Sequence, residues 1–518
     1  MVGPHSVVAA MTDHQSPAHL RHIGRGGSQN LIASVVAALL GILLSIVVAR
    51  SFSTEDTGLY LAATSVVLLV ATVARLGTSI GLVYWISRLR ELGRVDDLHQ
   101  VLRIALRPIV ALSIVTAVAL IAVAPWASDL LLGGSTTGTR MLQLLALALP
   151  AIVVFDALLG ATRGLGTMKP TAVLDRVGRP AAQLVLTVIA ALMGSVLAAT
   201  AAWAIPYLVL ALIVGWWVFR RVKVPERAGE TQPELQPSEA EPQLRRDFWS
   251  FTWPRAITSV VQQARQRFDI VLVSAISGPV EAALYGIATR FLVVGQLTNS
   301  ALALAAQPHV ASLSTSDQRG SIAAVYRSTT TWIITLNGPL YVGVAIFSPL
   351  LLSLFGPDYV SAWPVTVTMC VAAFIGNGSG MVDVILSMTG RTSATLANSL
   401  GALVTQVVLL LALVPTWGAF GAAIAWGVSI VVINAMSVVQ LARSDGIHPL
   451  ESGTAFAVAG NLLAVALPAG VIALTLGQTW AAFALSVAVC AAAYVGYARI
   501  FRRQLHLPEL MSALRRSE

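Results

Sequence analysis

Two lysines and two cysteines in 518 residues are too few for several kinds of chemistry. Lys169 and Lys223 do not close a glycine-rich phosphate loop, so the chain carries no Walker-type ATPase of its own. Cys370 and Cys490 stand far apart with no CxxC spacing, which excludes a disulfide framework and a zinc ribbon and leaves packing as their expected role. No HExxH motif is present. Charge is scarce too: 11% of residues are charged, where a soluble globular chain has about 25%.

Apolar residues fill the space, making up 56% of the chain. A spanning helix needs about 20 mostly apolar residues, and about fourteen such stretches can be placed. They lie approximately at 29–49, 58–86, 106–126, 141–161, 171–193, 197–219, 249–276, 282–308, 329–353, 362–388, 393–414, 417–441, 454–476 and 479–499. The polar segment before Gln29 lacks a good cleavage site, so the first span is expected to stay in the mature chain.

Short loops rich in Lys and Arg mark the cytoplasmic side. Arg21 and Arg25 precede the first span, Arg88, Arg90, Arg94 and Arg103 follow the second, and the pattern continues in every alternate loop to Arg443 and the tail. The opposite loops hold only Arg50 and Arg140, so both termini are expected in the cytoplasm. This topology accounts for most of the net charge of +9. Contact with lipid head groups is a secondary role, and no nucleic-acid-binding motif is present. The excess of Arg over Lys and the abundance of Ala point to a bacterial source and hence to a bacterial cell membrane.

One stretch departs from short loops: Arg220 to Phe248 is rich in Pro, Glu and Gln and reads as a flexible cytoplasmic linker. It gives an N-terminal segment (1–28), a first lobe (29–219), the linker (220–248), a second lobe (249–441), two further spans (454–499) and a tail (500–518). The lobes resemble each other. FSTEDTGLYLAAT (Phe52–Thr64) parallels SGPVEAALYGIAT (Ser277–Thr289), placing Tyr60 on Tyr285, and Thr162 falls on Thr389 at nearly the same offset. Same-orientation halves imply a parallel repeat about an axis along the membrane normal.

ARSFSTEDTGLYLAATSVV, LLGATRGLGTMKPTAV, LFGPDYVSAW and GAFGAAIAW occur in this order. Together they resemble polysaccharide-biosynthesis flippases of the Wzx type, in the multidrug/oligosaccharidyl-lipid/polysaccharide exporter superfamily, over about residues 25–440. The resemblance implies an all-α integral membrane fold, with about fourteen transmembrane helices in two six-helix lobes plus two terminal helices around a central cavity. It also implies alternating access, a basic cavity, transport of polyprenyl-pyrophosphate-linked glycans to the outer leaflet, and a groove for the lipid tail beside the terminal pair.

On a helix advancing about 100° per residue, Arg255, Thr258, Ser259, Gln262, Arg265, Gln266 and Asp269 share one face of the seventh span. Each unpaired charge costs about 2.5–3.5 kcal/mol at a helix centre, so this face should line water or protein. Span two carries Arg75 and span eight Arg290. The guanidinium stays charged and matches phosphate oxygens with a planar fork, so Arg75, Arg265, Arg267 and Arg290 are the candidate pyrophosphate ligands, with Arg255, Gln262 and Gln266 beside them. Arg267 points away from the stripe and is the outlier of the set.

Other readings stay open. Arg265 and Asp269, four residues apart, can neutralise each other; Arg290 can serve lobe packing, and Arg75 can snorkel to the inner surface. Asp156, Asp269 and Asp383 can bind a coupling proton or sodium ion or pair with arginines. Pro150 and Pro206 are candidate hinges. No cofactor or catalytic activity is expected, and association with glycan-assembly enzymes fits the leading reading. A drug or organic-cation antiporter of the same superfamily, which would want carboxylates in its site, and a membrane glycan polymerase or ligase are the alternatives.

Overall fold

A computed structural model describes residues 17–222, 241–300, 302–303, 319–449 and 451–508, with side chains from Ile32 onward except those of Asp96 and Thr392. Most of the expected N-terminal segment, the middle of the expected linker (223–240) and the end of the tail lie outside the described residues. Among the described residues there is no strand. Lipid offers backbone groups no hydrogen-bond partner, so helices that satisfy their own bonds are the natural outcome of so apolar a chain.

The first half comprises α1 (Pro17–Ser51), α2 (Thr54–Ala74), α3 (Thr78–Glu91), α4 (Leu98–Leu131), α5 (Thr136–Gly164), α6 (Arg179–Leu192) and α7 (Val196–Val222). The second begins with α8 (Glu241–Ser277) and α9 (Pro279–Ala288), which runs through a tight turn and continues helically to Ser300. It goes on with α10 (Arg319–Ile346), α11 (Ser348–Leu352), α12 (Trp363–Asn377), α13 (Val382–Met388) and α14 (Thr392–Asp445). The terminal pair is α15 (Ser452–Asn461) continuing into α16 (Leu467–Leu476), then α17 (Trp480–Ile500).

Ten of the described helical stretches are long and apolar enough to cross a membrane. The expected fourteen are not reached on that measure, for physical reasons. The fifth expected span is divided into a π-helical turn, Thr171–Gly178, and the 14-residue α6. The seventh carries Arg255, Arg265, Arg267 and Asp269, and the ninth is diluted by Thr329, Thr330, Thr331 and Asn337 and also falls short. The eleventh and twelfth join as α14, bent at Gly418 (φ 52°). The linker is also shorter than expected, because α7 extends to Val222 and α8 starts at Glu241.

The expected second span is broken at Leu76 (φ 50°) and Gly77 (φ 71°). A side chain on Gly77 would press on the backbone of Ala256 and Thr252 in α8, so the break brings the two halves together. At the opposite end of α2, Gly58 abuts Pro279 at the start of α9. These approaches are 19 residues apart, or about 28 Å at helical rise. Beside the second approach, Arg50 donates to the carbonyls of Leu354 and Ser353 at 2.6 and 3.1 Å.

Pro150 and Pro206 both lie inside continuous helices. The breaks fall instead at reversed-backbone positions and at π- or 3-10-helical turns. The terminal pair docks on α10 through polar groups: Asn461 donates to Ile334 O (3.2 Å) and Tyr494 to Thr335 O (2.9 Å). Both cysteines are free and buried.

Candidate functional site

Between the two approaches of α2 lies a cavity of about 390 Å³ whose wall draws on both halves. The first half contributes Leu44, Tyr60, Thr64, Arg179, Gln183, Trp203 and Tyr207, among others, and the second contributes Gln263, Gln266, Arg267, Ile287 and Arg290. Three arginines, Arg179, Arg267 and Arg290, line it together. No carboxylate is among its described lining residues.

Arg179 follows the π-helical turn, a local widening that is frequent at functional sites. Its Nε donates to Asp175 at 2.9 Å and its Nη1 to Gln183 at 3.3 Å, while its guanidinium lies 5.0 Å from the Tyr207 ring centre. Gln183 is held in turn by Trp203 O at 2.7 Å. Arg179 is thus a pre-aimed cation, fixed on one side and open to the cavity on the other. Arg290 sits in the 3-10 turn Thr289–Phe291 and leaves a buried Nε without a hydrogen-bond partner. Neither Arg267 nor Arg290 makes an ion pair among the described residues.

Of the residues expected from sequence, the structure brings Arg267, Arg290 and Gln266 into this wall. The others lie elsewhere. Arg75 caps α2 and pairs with Asp156 of α5 at 3.6 Å. Arg255 is exposed, donates to Phe251 O at 2.7 Å and covers the Phe251 ring. Gln262 is exposed. Arg265 faces the second half, where its charge and that of Asp383 attract.

The Arg265–Asp269 pair allowed by spacing does not form among the described residues. Asp269, 4% exposed, accepts instead from Tyr285 of α9 at 2.7 Å and from the Ile270 N–H at 2.8 Å. A shared helical face is a weaker constraint than a hydroxyl on the adjoining helix. Asp383 accepts from Ser437 at 3.1 Å.

Sequence reasoning missed Arg179 and Asp175, although LDRVGRP (Leu174–Pro180) places charges of both signs inside an expected span. It also passed over GTSIG (Gly77–Gly81), whose GxSxG spacing can mark a nucleophilic serine. Here Ser79 lies in the first turn of α3, after a helix and not a strand, accepts from Arg163 at 2.8 Å and donates to Asp156 O at 3.2 Å. It is a packing contact.

The profile of the family described as polysaccharide biosynthesis protein matches residues 23–314, more than half of the chain. The chain belongs to that family. Among solved structures, lipid II flippase MurJ in an inward closed conformation is similar with a TM-score of 0.69 at 13% identity, covering 92% of this chain and 98% of that one. An inward-facing multidrug resistance MATE family transporter of the MOP superfamily gives a TM-score of 0.62 at 16% identity, covering 79% and 95%. A MOP superfamily transporter from Pyrococcus furiosus, described as having a binding pocket of reversed polarity, gives 0.52 at 15%, covering 85% and 96%. At such identities the likeness is one of fold: this is an all-α membrane protein with the architecture of MOP transporters and flippases. Comparison with curated proteins gives no match.

Proposed function

We propose that the protein is a flippase that carries polyprenyl-pyrophosphate-linked oligosaccharide from the cytoplasmic to the outer leaflet by alternating access, for cell-surface polysaccharide assembly. One observation carries this reading: Arg179, Arg267 and Arg290 face a cavity shared by both halves, with no carboxylate in its described wall. A diphosphate head group carries charge of the opposite sign, and guanidinium forks match its oxygens. A cationic drug would meet the unpaired guanidiniums of Arg267 and Arg290 there, which disfavours the antiporter reading.

The two helical halves and the terminal pair are the moving parts in this proposal. Asp383 is the acid we assign to a coupling proton or sodium ion. Asp156 is held in an ion pair and Asp269 is sealed against Tyr285, whereas Asp383 is half-buried with a hydroxyl partner. Arg265 is the counter-charge that such an ion would displace.

Arg267→Ala and Arg290→Ala, made singly and together in the native host, test the reading. The double variant should reach the membrane folded yet export no glycan, with lipid-linked precursor accumulating on the inner leaflet. Normal export by the double variant overturns it.

A further inference from the structure

The repeat places two tyrosines in matching positions, and the structure gives them different partners. Tyr285 donates to Asp269 at 2.7 Å and is fully buried. Tyr60 is 4% exposed, contributes to the cavity wall, and its hydroxyl has no hydrogen-bond partner among the described residues. The cause is legible at the matching offset of 225: where the second half has Asp269, the first has Leu44, itself in the cavity wall. The register is sound, since α2 begins at Thr54 and α9 at Pro279, the same interval apart.

A buried hydroxyl without a partner is costly in the absence of a ligand. Tyr60 lies within electrostatic reach of Arg290, whose own Nε lacks a partner. An anion gripped by Arg290 would therefore bring an acceptor oxygen to a waiting donor. We infer that Tyr60 is a specificity-determining residue whose hydroxyl donates to a phosphate oxygen of the head group held by Arg267 and Arg290. This deepens the diphosphate reading above and rests on it. The repeat-related Tyr285 is a positioning residue whose hydroxyl is used up by its acid.

The test uses the full chain purified in detergent with farnesyl diphosphate as probe, comparing wild type, Arg290→Ala, Tyr60→Phe and Tyr285→Phe for affinity and melting temperature. Wild type should bind, and Arg290→Ala should lose most of the affinity. Tyr60→Phe should weaken binding about tenfold, the loss of one hydrogen bond to a charged group, with the melting temperature unchanged or raised because an unpartnered hydroxyl is removed. Tyr285→Phe should do the reverse, lowering the melting temperature because Asp269 loses its donor, with affinity within about twofold. Wild-type affinity in Tyr60→Phe, alongside a loss in Arg290→Ala, overturns the role of Tyr60 and leaves the flippase reading standing. A joint fall of affinity and melting temperature in Tyr60→Phe makes the residue structural and also overturns the inference. Failure of wild type to bind the probe removes both readings.

Discussion

Helices α1 and α2 and their repeat counterparts α8 and α9 share a layout but not a chemistry. At the offset of 225, Arg265, Arg267, Asp269 and Arg290 correspond to Leu40, Ile42, Leu44 and Ser65. The second pair carries charge where the first carries hydrocarbon or, at Ser65, a hydroxyl. The two copies share an arrangement of helices and differ in the charge they bring to the cavity. Two of the three cavity guanidiniums come from the charged copy, and the third, Arg179, comes from α6. The apolar copy keeps its acid position empty of charge, so no carboxylate of the described wall neutralises them, and of the three only Arg179 has an ion-pair partner, Asp175.

The largest expected effect in breaking this contrast comes from giving the apolar copy the acid that its counterpart has. Leu44→Asp would place a carboxylate in the cavity wall beside Tyr60, within range of the unpaired arginines. An internal anion would compete with the head group for the same guanidiniums and capture the Tyr60 hydroxyl. Binding of farnesyl diphosphate should fall by at least about thirtyfold, the scale of a charge-assisted hydrogen bond. Raising the salt concentration should restore little, because charges that are partly buried are screened much less than exposed ones. Unchanged affinity in a folded Leu44→Asp protein would show that the leucine is not what keeps the cavity basic.

A second contrast links Asp156 and Asp383, which correspond at an offset of 227, the spacing of Thr162 and Thr389. The first is committed to Arg75 at 3.6 Å. The second accepts from Ser437, which in turn accepts from Asn398 at 3.0 Å. Asp383→Asn should preserve head-group binding and abolish the dependence of export on a proton or sodium gradient, measured in proteoliposomes. Asp156→Asn should leave that dependence intact. If both variants respond alike, the contrast between the two acids carries no functional weight.

The sequence made the all-α membrane class legible because hydrophobic length is a strong and local signal. It also exposed the repeat, through the GLYLAAT and ALYGIAT strings. The breaks were harder to read. The break at Leu76 is marked only by the following Gly77, a weak sign because glycine is frequent in membrane helices, and Pro150 and Pro206, which give a stronger one, sit in unbroken helices. For the cavity, a helical wheel on one span identified the polar face but not which part of it meets the other half. Arg267, off the stripe, lies in the wall, whereas Arg265, near its centre, faces Asp383. Rotation of a helix about its axis is set by tertiary contacts such as Tyr285–Asp269, which no single-span pattern contains. Arg179 was within reach of the sequence alone, since an Asp and two Arg inside one expected span are costly without a site or a partner.

The smallest expected effect belongs to the pair that the apolar half keeps for itself. Arg75 and Asp156 join the end of α2 to α5, next to the reversed backbone at Leu76 and Gly77, and their side chains are 23% and 32% exposed. Partial hydration screens such a pair, so its coupling free energy should be about 0.2–1 kcal/mol. A double-mutant cycle with Arg75→Ala and Asp156→Ala, read by thermal unfolding in detergent, measures that term free of each residue's other contacts. Arg75 also leaves a buried Nε without a partner, so Arg75→Ala alone should cost less than the loss of a fully bonded arginine. Head-group affinity should stay within about twofold of wild type in all three variants, because neither side chain is in the cavity wall. A large loss of affinity in Arg75→Ala with intact stability would move this arginine from the hinge of α2 into the binding site and restore it to the set of phosphate ligands expected from the sequence.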